Sequence, residues 1–159
     1  MNNETIIQPY QPVHHPDFER LHRSWFTAHF KMSPEPLDEF VLRQPDKAIL
    51  EHGGAILVAL QDDRLAGSVA LKKMDDHNYE LTKMAVGEEF RGKGIGKDLT
   101  AAAIMKARSL GARRIILYSH STLQTALHIY RKLGFSEIPL ELGTYSHIRC
   151  NIKMELVID

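Results

Sequence analysis

The sequence is poor in the features that mark secreted, membrane-spanning or nucleic-acid-wrapping proteins. Only one of its 159 residues is cysteine, so no internal disulfide can form. That residue, Cys150, stands in an alternating stretch and reads as a small buried hydrophobe rather than a reactive thiol. Net charge is also missing, because 20 Lys plus Arg stand against 20 Asp plus Glu. Wrapping a phosphate backbone takes a surplus of cations, so no nucleic acid is expected as a partner. No run approaches the roughly 18 apolar residues of a membrane helix, and Met1, Asn2, Asn3 and Glu4 include no basic segment followed by an apolar one. The expectation is therefore a cytoplasmic chain with no membrane partner. Internal repeats, low-complexity tracts and an interdomain linker are absent as well.

The residues present suit one globular domain spanning 1–159. A hydrophobic fraction of 43% with 25% charged residues excludes wholesale disorder. A chain of this length can bury roughly 70% of its unfolded surface without metal or disulfide staples.

Periodicity orders the elements. Residues 5–8 form a short strand candidate ended by Pro9 and Pro12. Over 14–30, Phe18, Leu21, Trp25 and Phe30 recur near helical spacing, and a second helix follows Pro34 and Pro36, carries Leu37, Phe40 and Val41, and stops before Pro45. From Gly53-Gly54 onward the pattern becomes strands: 55–60, a turn at Asp62-Asp63-Arg64, 65–74, a polar turn from Asp75 to Asn78, then 79–86. Gly92, Gly94 and Gly96 open a helix whose apolar face is expected to be Ile95, Leu99, Ala102 and Met105, ending near Gly111. A strand at 114–119, a helix at 122–133 closed by Gly134, a short strand at 135–138 and an alternating last strand at 148–157 complete the chain. The expected fold class is α/β, a mixed central sheet of about seven strands flanked by about four helices. The helix between Val86 and Arg114 demands one parallel crossover pair.

The richest local signal is Arg91-Gly92-Lys93-Gly94-Ile95-Gly96 between a strand and a helix. Glycines there let backbone N–H groups at the helix start converge on an anion, so a phosphate-bearing ligand is the first hypothesis. A tight turn that needs positive φ is the plainer alternative. Two nucleotide fingerprints fail. A P-loop would need Ser or Thr after Gly96-Lys97, where Asp98 stands, and a glycine at position 91. The turn also reads Gly-x-Gly-x-Gly after a meander rather than Gly-x-Gly-x-x-Gly after a first parallel strand.

At these residues the sequence resembles the GNAT family of N-acetyltransferases. The family motif Gln/Arg-x-x-Gly-x-Gly/Ala is met by Arg91, Gly94 and Gly96, and the downstream pattern of alanine, tyrosine and Gly-Phe by Ala126, Tyr130, Gly134 and Phe135. The resemblance spans about 54–156 and implies acetyl-CoA as cosubstrate, while the single cysteine and the lack of a His-Glu-x-x-His run lead to the expectation of no metal. It implies that the backbone amides of Arg91, Gly92, Lys93, Gly94, Ile95, Gly96 and Lys97 hold the CoA pyrophosphate. Met84, Ala85 and Val86 would pair with the pantetheine arm, and the third strand of the meander would splay from the next to open a slot.

Acetyl transfer to an amine needs a base, a polarised carbonyl and a proton for the departing thiolate. Glu80, eleven residues before Arg91, matches the glutamate base of histone-acetylating members; a strand-edge glutamate paired with a lysine or solvated is the alternative. Tyr130 matches the tyrosine that protonates the thiolate, or else it packs in the core. A backbone N–H of Met84 or Ala85 would meet the oxyanion. Leu123 departs from the family, many members of which carry a cofactor-contacting asparagine there. His120 and Ser121 are candidates to replace it, and His120 or a water is an alternative base. His15, His22 and His29 stand seven apart, a poor zinc spacing, and read as a polar helix flank. Trp25, Phe26 and Phe30 are expected to pack over the sheet or line the acceptor groove. The acceptor is a small-molecule amine or a peptide or protein amine, and the resemblance allows a homodimer. A catalytically silent acyl-CoA-binding sensor is the alternative to the enzyme.

Overall fold

A computed structural model of the chain describes residues 4–30, 33–141 and 150–158. Among the described residues seven strands form one sheet in the order β1-β2-β3-β4-β5-β7-β6. The strands are β1 (Thr5–Pro9), β2 (Ala55–Gln61), β3 (Arg64–Lys73), β4 (Asn78–Val86), β5 (Arg114–Ser119), β6 (Ser136–Ile138) and β7 (Ile152–Val157). Every pairing is antiparallel except β4 with β5, the parallel crossover that the intervening helix requires.

Turn chemistry sets the meander. Asp62 and Asp63 take φ of 51° and 61°, the doubly left-handed geometry that matches strand twist in a two-residue hairpin. Before β4, the Asp75 carboxylate accepts from the backbone N–H groups of His77 and Asn78, both at 2.9 Å. These bonds hold it below the usual carboxylate range.

The described residues form five helices: α1 (His15–Phe30), α2 (Pro36–Arg43), the four-residue α3 (Pro45–Ala48), α4 (Ile95–Ser109) and α5 (Gln124–Lys132). The alternation of β2 sorts its side chains. Ala55, Leu57 and Ala59 join the core under α4 and α5, while Ile56 joins Phe18, Leu42 and Ile49 under α1, α2 and α3. The buried face of α4 is Ile95, Leu99, Ala103 and Ala107, stepping four residues at a time. Met105, expected on that face, is 69% exposed, and Ala102 is half-buried. Steps of four keep the small alanines against the sheet and turn Met105 to the far side.

Both α4 and α5 close with a glycine in the left-handed region. Gly134 has φ of 106°, its N–H donating to Arg131 O while that of Phe135 donates to Tyr130 O. Phe135, expected to open β6, is drawn instead into the core, and β6 starts one residue later. Part of the expected strand 148–157 lies outside the described residues. Within them β7 starts at Ile152, just after Asn151, whose backbone N–H donates to Ser119 O at 2.9 Å and whose side chain bonds Ser121. No helix among the described residues is long and apolar enough to cross a membrane.

Candidate active site

The sheet divides at Glu80. Pairing of β4 with β5 runs from Asn78 opposite Arg114 to Glu80 opposite Ile116 and stops there, although β5 continues to Ser119. Among the described residues, 81–86 therefore have no strand partner on the side of the gap. On the other side of β4 the register with β3 slips, with Ser68 opposite Ala85 but Ala70 opposite Thr82. Lys83 and Met84 together face Val69, and Lys83 takes a φ of 52°. This bulge bends β4 away from β5.

A cavity of about 580 Å³ fills the gap. Its walls include Glu80, Met84, Ala85 and Val86 of β4, Tyr130 of α5, and Trp25, Phe26 and Phe30 of α1. Arg91, Gly92, Gly94, Ile95, Gly96 and Lys97 close one end. Of the residues expected around the cofactor only Lys93 does not line the cavity, since its ammonium donates to Gln61 Oε1 at 3.0 Å. Gly92 and Gly94 both have φ of 79°, with open space where a Cβ would lie, so their backbone conformation is what calls for glycine. A Cβ on Gly96 would instead meet Ile129 Cδ1 at 3.2 Å and Met84 Sδ at 3.6 Å. The turn thus presents bare backbone at the first turn of α4, which fits a pyrophosphate.

Glu80 is 6% exposed and lines this cavity. Together with Thr82 and Lys83 it also walls a second cavity of about 500 Å³ beneath α2. Tyr130 is buried, its ring 5.8 Å edge-on from Phe135, and among the described residues its hydroxyl makes no hydrogen bond. Burial pushes its pKa up, so the phenol stays protonated.

His120 and Ser121 do not line the cavity. The backbone N–H of Thr122 donates to His120 Nδ1 at 3.2 Å, and Asn151 Oδ1 accepts from the Ser121 N–H at 2.8 Å. Leu123, at the family's asparagine position, does line it. The three histidines of α1 part company. His15 Nε2 lies 2.9 Å from Leu42 O and His22 Nε2 2.7 Å from Ser68 Oγ, while Arg91 Nη2 donates to His29 Nε2 at 3.3 Å. Among the described residues no group of three or more His, Cys, Asp or Glu is placed to hold a metal ion.

His22 corrects the expected polar flank, being 2% exposed and at the cavity wall. A signal for this existed, because His22 lies four residues from both Phe18 and Phe26 on the buried stripe. Two further features had no local signal: the Lys83–Asp38 ion pair at 2.6 Å, with side chains 6% and 1% exposed, and the place of Cys150 in the cavity wall.

The profile of the acetyltransferase (GNAT) family matches residues 15–135. An uncharacterized N-acetyltransferase of Escherichia coli (strain K12), YjgM, is 32% identical over 122 residues, 74% of this chain and 70% of that one. A GNAT-family acetyltransferase from Staphylococcus aureus Mu50 superposes with a TM-score of 0.85 over 98% of this chain and 100% of that one, at 21% identity. A phosphinothricin acetyltransferase from Sinorhizobium meliloti, solved in complex with acetyl-CoA, gives a TM-score of 0.77 over 97% of this chain and 88% of that one, also at 21% identity. Profile, sequence relative and fold agree with the strand, glycine turn and helix, and the chain belongs to the acetyltransferase (GNAT) family as an acyl-CoA-dependent acetyltransferase.

Proposed function

We propose that this protein is an N-acetyltransferase that passes the acetyl group of acetyl-CoA to a primary amine, the amine attacking the thioester directly in a ternary complex. The observation that carries the reading is the placement of Glu80 at the fork of β4 and β5, shared by two cavities. Acetyl-CoA supplies the activated acyl group. The larger cavity has the glycine turn for its pyrophosphate and the free edge of β4 for its pantetheine amides, added like a strand. The second cavity gives an amine its own approach to the same carboxylate.

Glu80 takes the proton of the incoming ammonium, directly or through one water, since an alkylammonium has a pKa near ~10 and must be neutral to attack. The backbone N–H of Met84 or Ala85, fixed by the bulge, polarises the carbonyl. Tyr130 donates to the departing sulfur and is restored by the second proton, which the amine nitrogen loses as the amide forms. Its raised pKa keeps it a donor at every working pH, and the same dry surroundings raise the thiol it serves. The acceptor class is a small-molecule amine or a peptide or protein amine, and a homodimer accords with the family resemblance.

Thiol release from acetyl-CoA against pooled amines, amino acids, polyamines and peptides tests the reading, with calorimetric CoA binding on the same sample. Glu80→Gln and Tyr130→Phe should each keep CoA binding while turnover falls, by about 10²–10⁴ for the base. Unchanged rates in both variants would remove both roles. Binding without release from any pool would replace the enzyme by the silent sensor.

A further inference from the structure

We propose that His29 of α1 is a ligand of the cofactor's phosphates, completing with Arg91 an anion seat at the mouth of the larger cavity. The inference rests on the acetyl-CoA reading above and adds a helix that the glycine motif does not include. His29 and Arg91 both line that cavity and meet across it, Nη2 to Nε2, at 3.3 Å. A guanidinium has only donors, so Nε2 accepts and the imidazole is neutral, its proton on Nδ1. Trp25, 4.7 Å away between ring centroids, backs the imidazole from its own helix.

The charged side chains that line this end of the cavity, Arg91 and Lys97, are both cationic, and the neighbouring Glu88, Glu89 and Asp98 are not among its lining residues. Arg91 comes from the glycine turn and Lys97 from the first turn of α4, while Lys93 is held by Gln61. Glu80 and Lys83 line the same cavity from β4, and on the β5 side His120 meets the ring of Phe30 rather than His29. Burial first and Arg91 second hold the His29 pKa below its ordinary value. An anion that accepts from Arg91 offsets the charge that suppresses His29 and takes away the donor that occupies Nε2. His29 then gains a proton from solvent and donates Nε2–H to a second oxygen of the same anion.

The test is calorimetric CoA binding at pH 6 and pH 8, in buffers of unlike ionisation enthalpy, for the wild type and His29→Gln. The 3′-phosphate of CoA itself titrates near pH ~6, equally for both proteins, so the difference between them is what counts. The wild type should tighten several-fold more than the variant between pH 8 and pH 6, short of the tenfold ceiling that a pKa rise of one sets, and should take up more protons on binding. The His29 ring-proton NMR titration in the wild type should also move to higher pH when CoA is added. Equal pH dependence and proton uptake in the two proteins, or a His29 titration that CoA leaves in place, would overturn the proposal alone. Absence of CoA binding at either pH would overturn the acetyl-CoA reading with it.

Discussion

Beneath α1, His22 is 2% exposed, its Nε2 is 2.7 Å from Ser68 Oγ, and its ring centroid is 4.6 Å from that of Phe18. Burial first, and the Lys83 ammonium second, push its pKa down to about 3. In the unfolded chain an imidazole titrates near ~6.5. Between those values the unfolded chain binds a proton that the folded one refuses, so stability is present above pH ~6.5 and is lost as the pH falls toward 3. Each pH unit inside the window removes about 1.4 kcal/mol, and lowering the pH from 7 to 4.5 removes roughly 2.5 kcal/mol. That is a large share of the ~5–15 kcal/mol that holds an ordinary domain together. The assay is urea unfolding at several pH values on the wild type and His22→Gln. The glutamine can still bond Ser68 but does not titrate. Glu39 and Asp75, both held below the usual carboxylate range by their partners, also lose stability in acid, but equally in the two proteins. Relative to the variant, the wild-type midpoint should therefore drop by about 1 M urea more on acidification, for a slope near ~2 kcal/mol/M. Parallel curves, or a His22 ring proton titrating near pH 6, would refute the reasoning.

Lys83→Met should destabilise the fold by about 3–5 kcal/mol, because the buried Asp38 loses the cation 2.6 Å away. Adding Asp38→Asn should restore much of that loss, since the amide can still accept from the Glu35 N–H now at 3.0 Å from the carboxylate; urea midpoints of both variants check this, and a double variant no better than the single one would count against it. Gly67→Ala should lower stability by about 1–3 kcal/mol, as its Cβ would come 2.8 Å from Ala85 O and 2.9 Å from Leu99 Cδ1. It should also weaken CoA binding, because the strand it displaces is the one lining the larger cavity; a Tm and a CoA affinity that both match the wild type would contradict this.

Most strands were legible to within two residues because alternation and turn residues are local, and so was the glycine turn. The fork at Glu80 was not legible, because it depends on where β5 stops pairing. Nor was the bulge, which puts a lysine at φ of 52°, a conformation that no local preference of Lys83 announces. The pattern in what was missed is physical. His22 reaches Ser68 across 46 positions, Lys83 reaches Asp38 across 45, and Arg91 reaches His29 across 62. Each of these pairs ties α1 or α2 to the sheet or to the glycine turn. The wall proposed to meet the cofactor's phosphates and pantetheine amides is contiguous in the chain from Met84 to Lys97, so it can be read as a motif. The facing wall of aromatic and titratable side chains exists only once the helices have docked. Specificity for the amine is therefore expected to reside in side-chain pairs distant in sequence, whereas the backbone contacts to the acyl donor are expected from one short segment, with His29 as the addition from a helix.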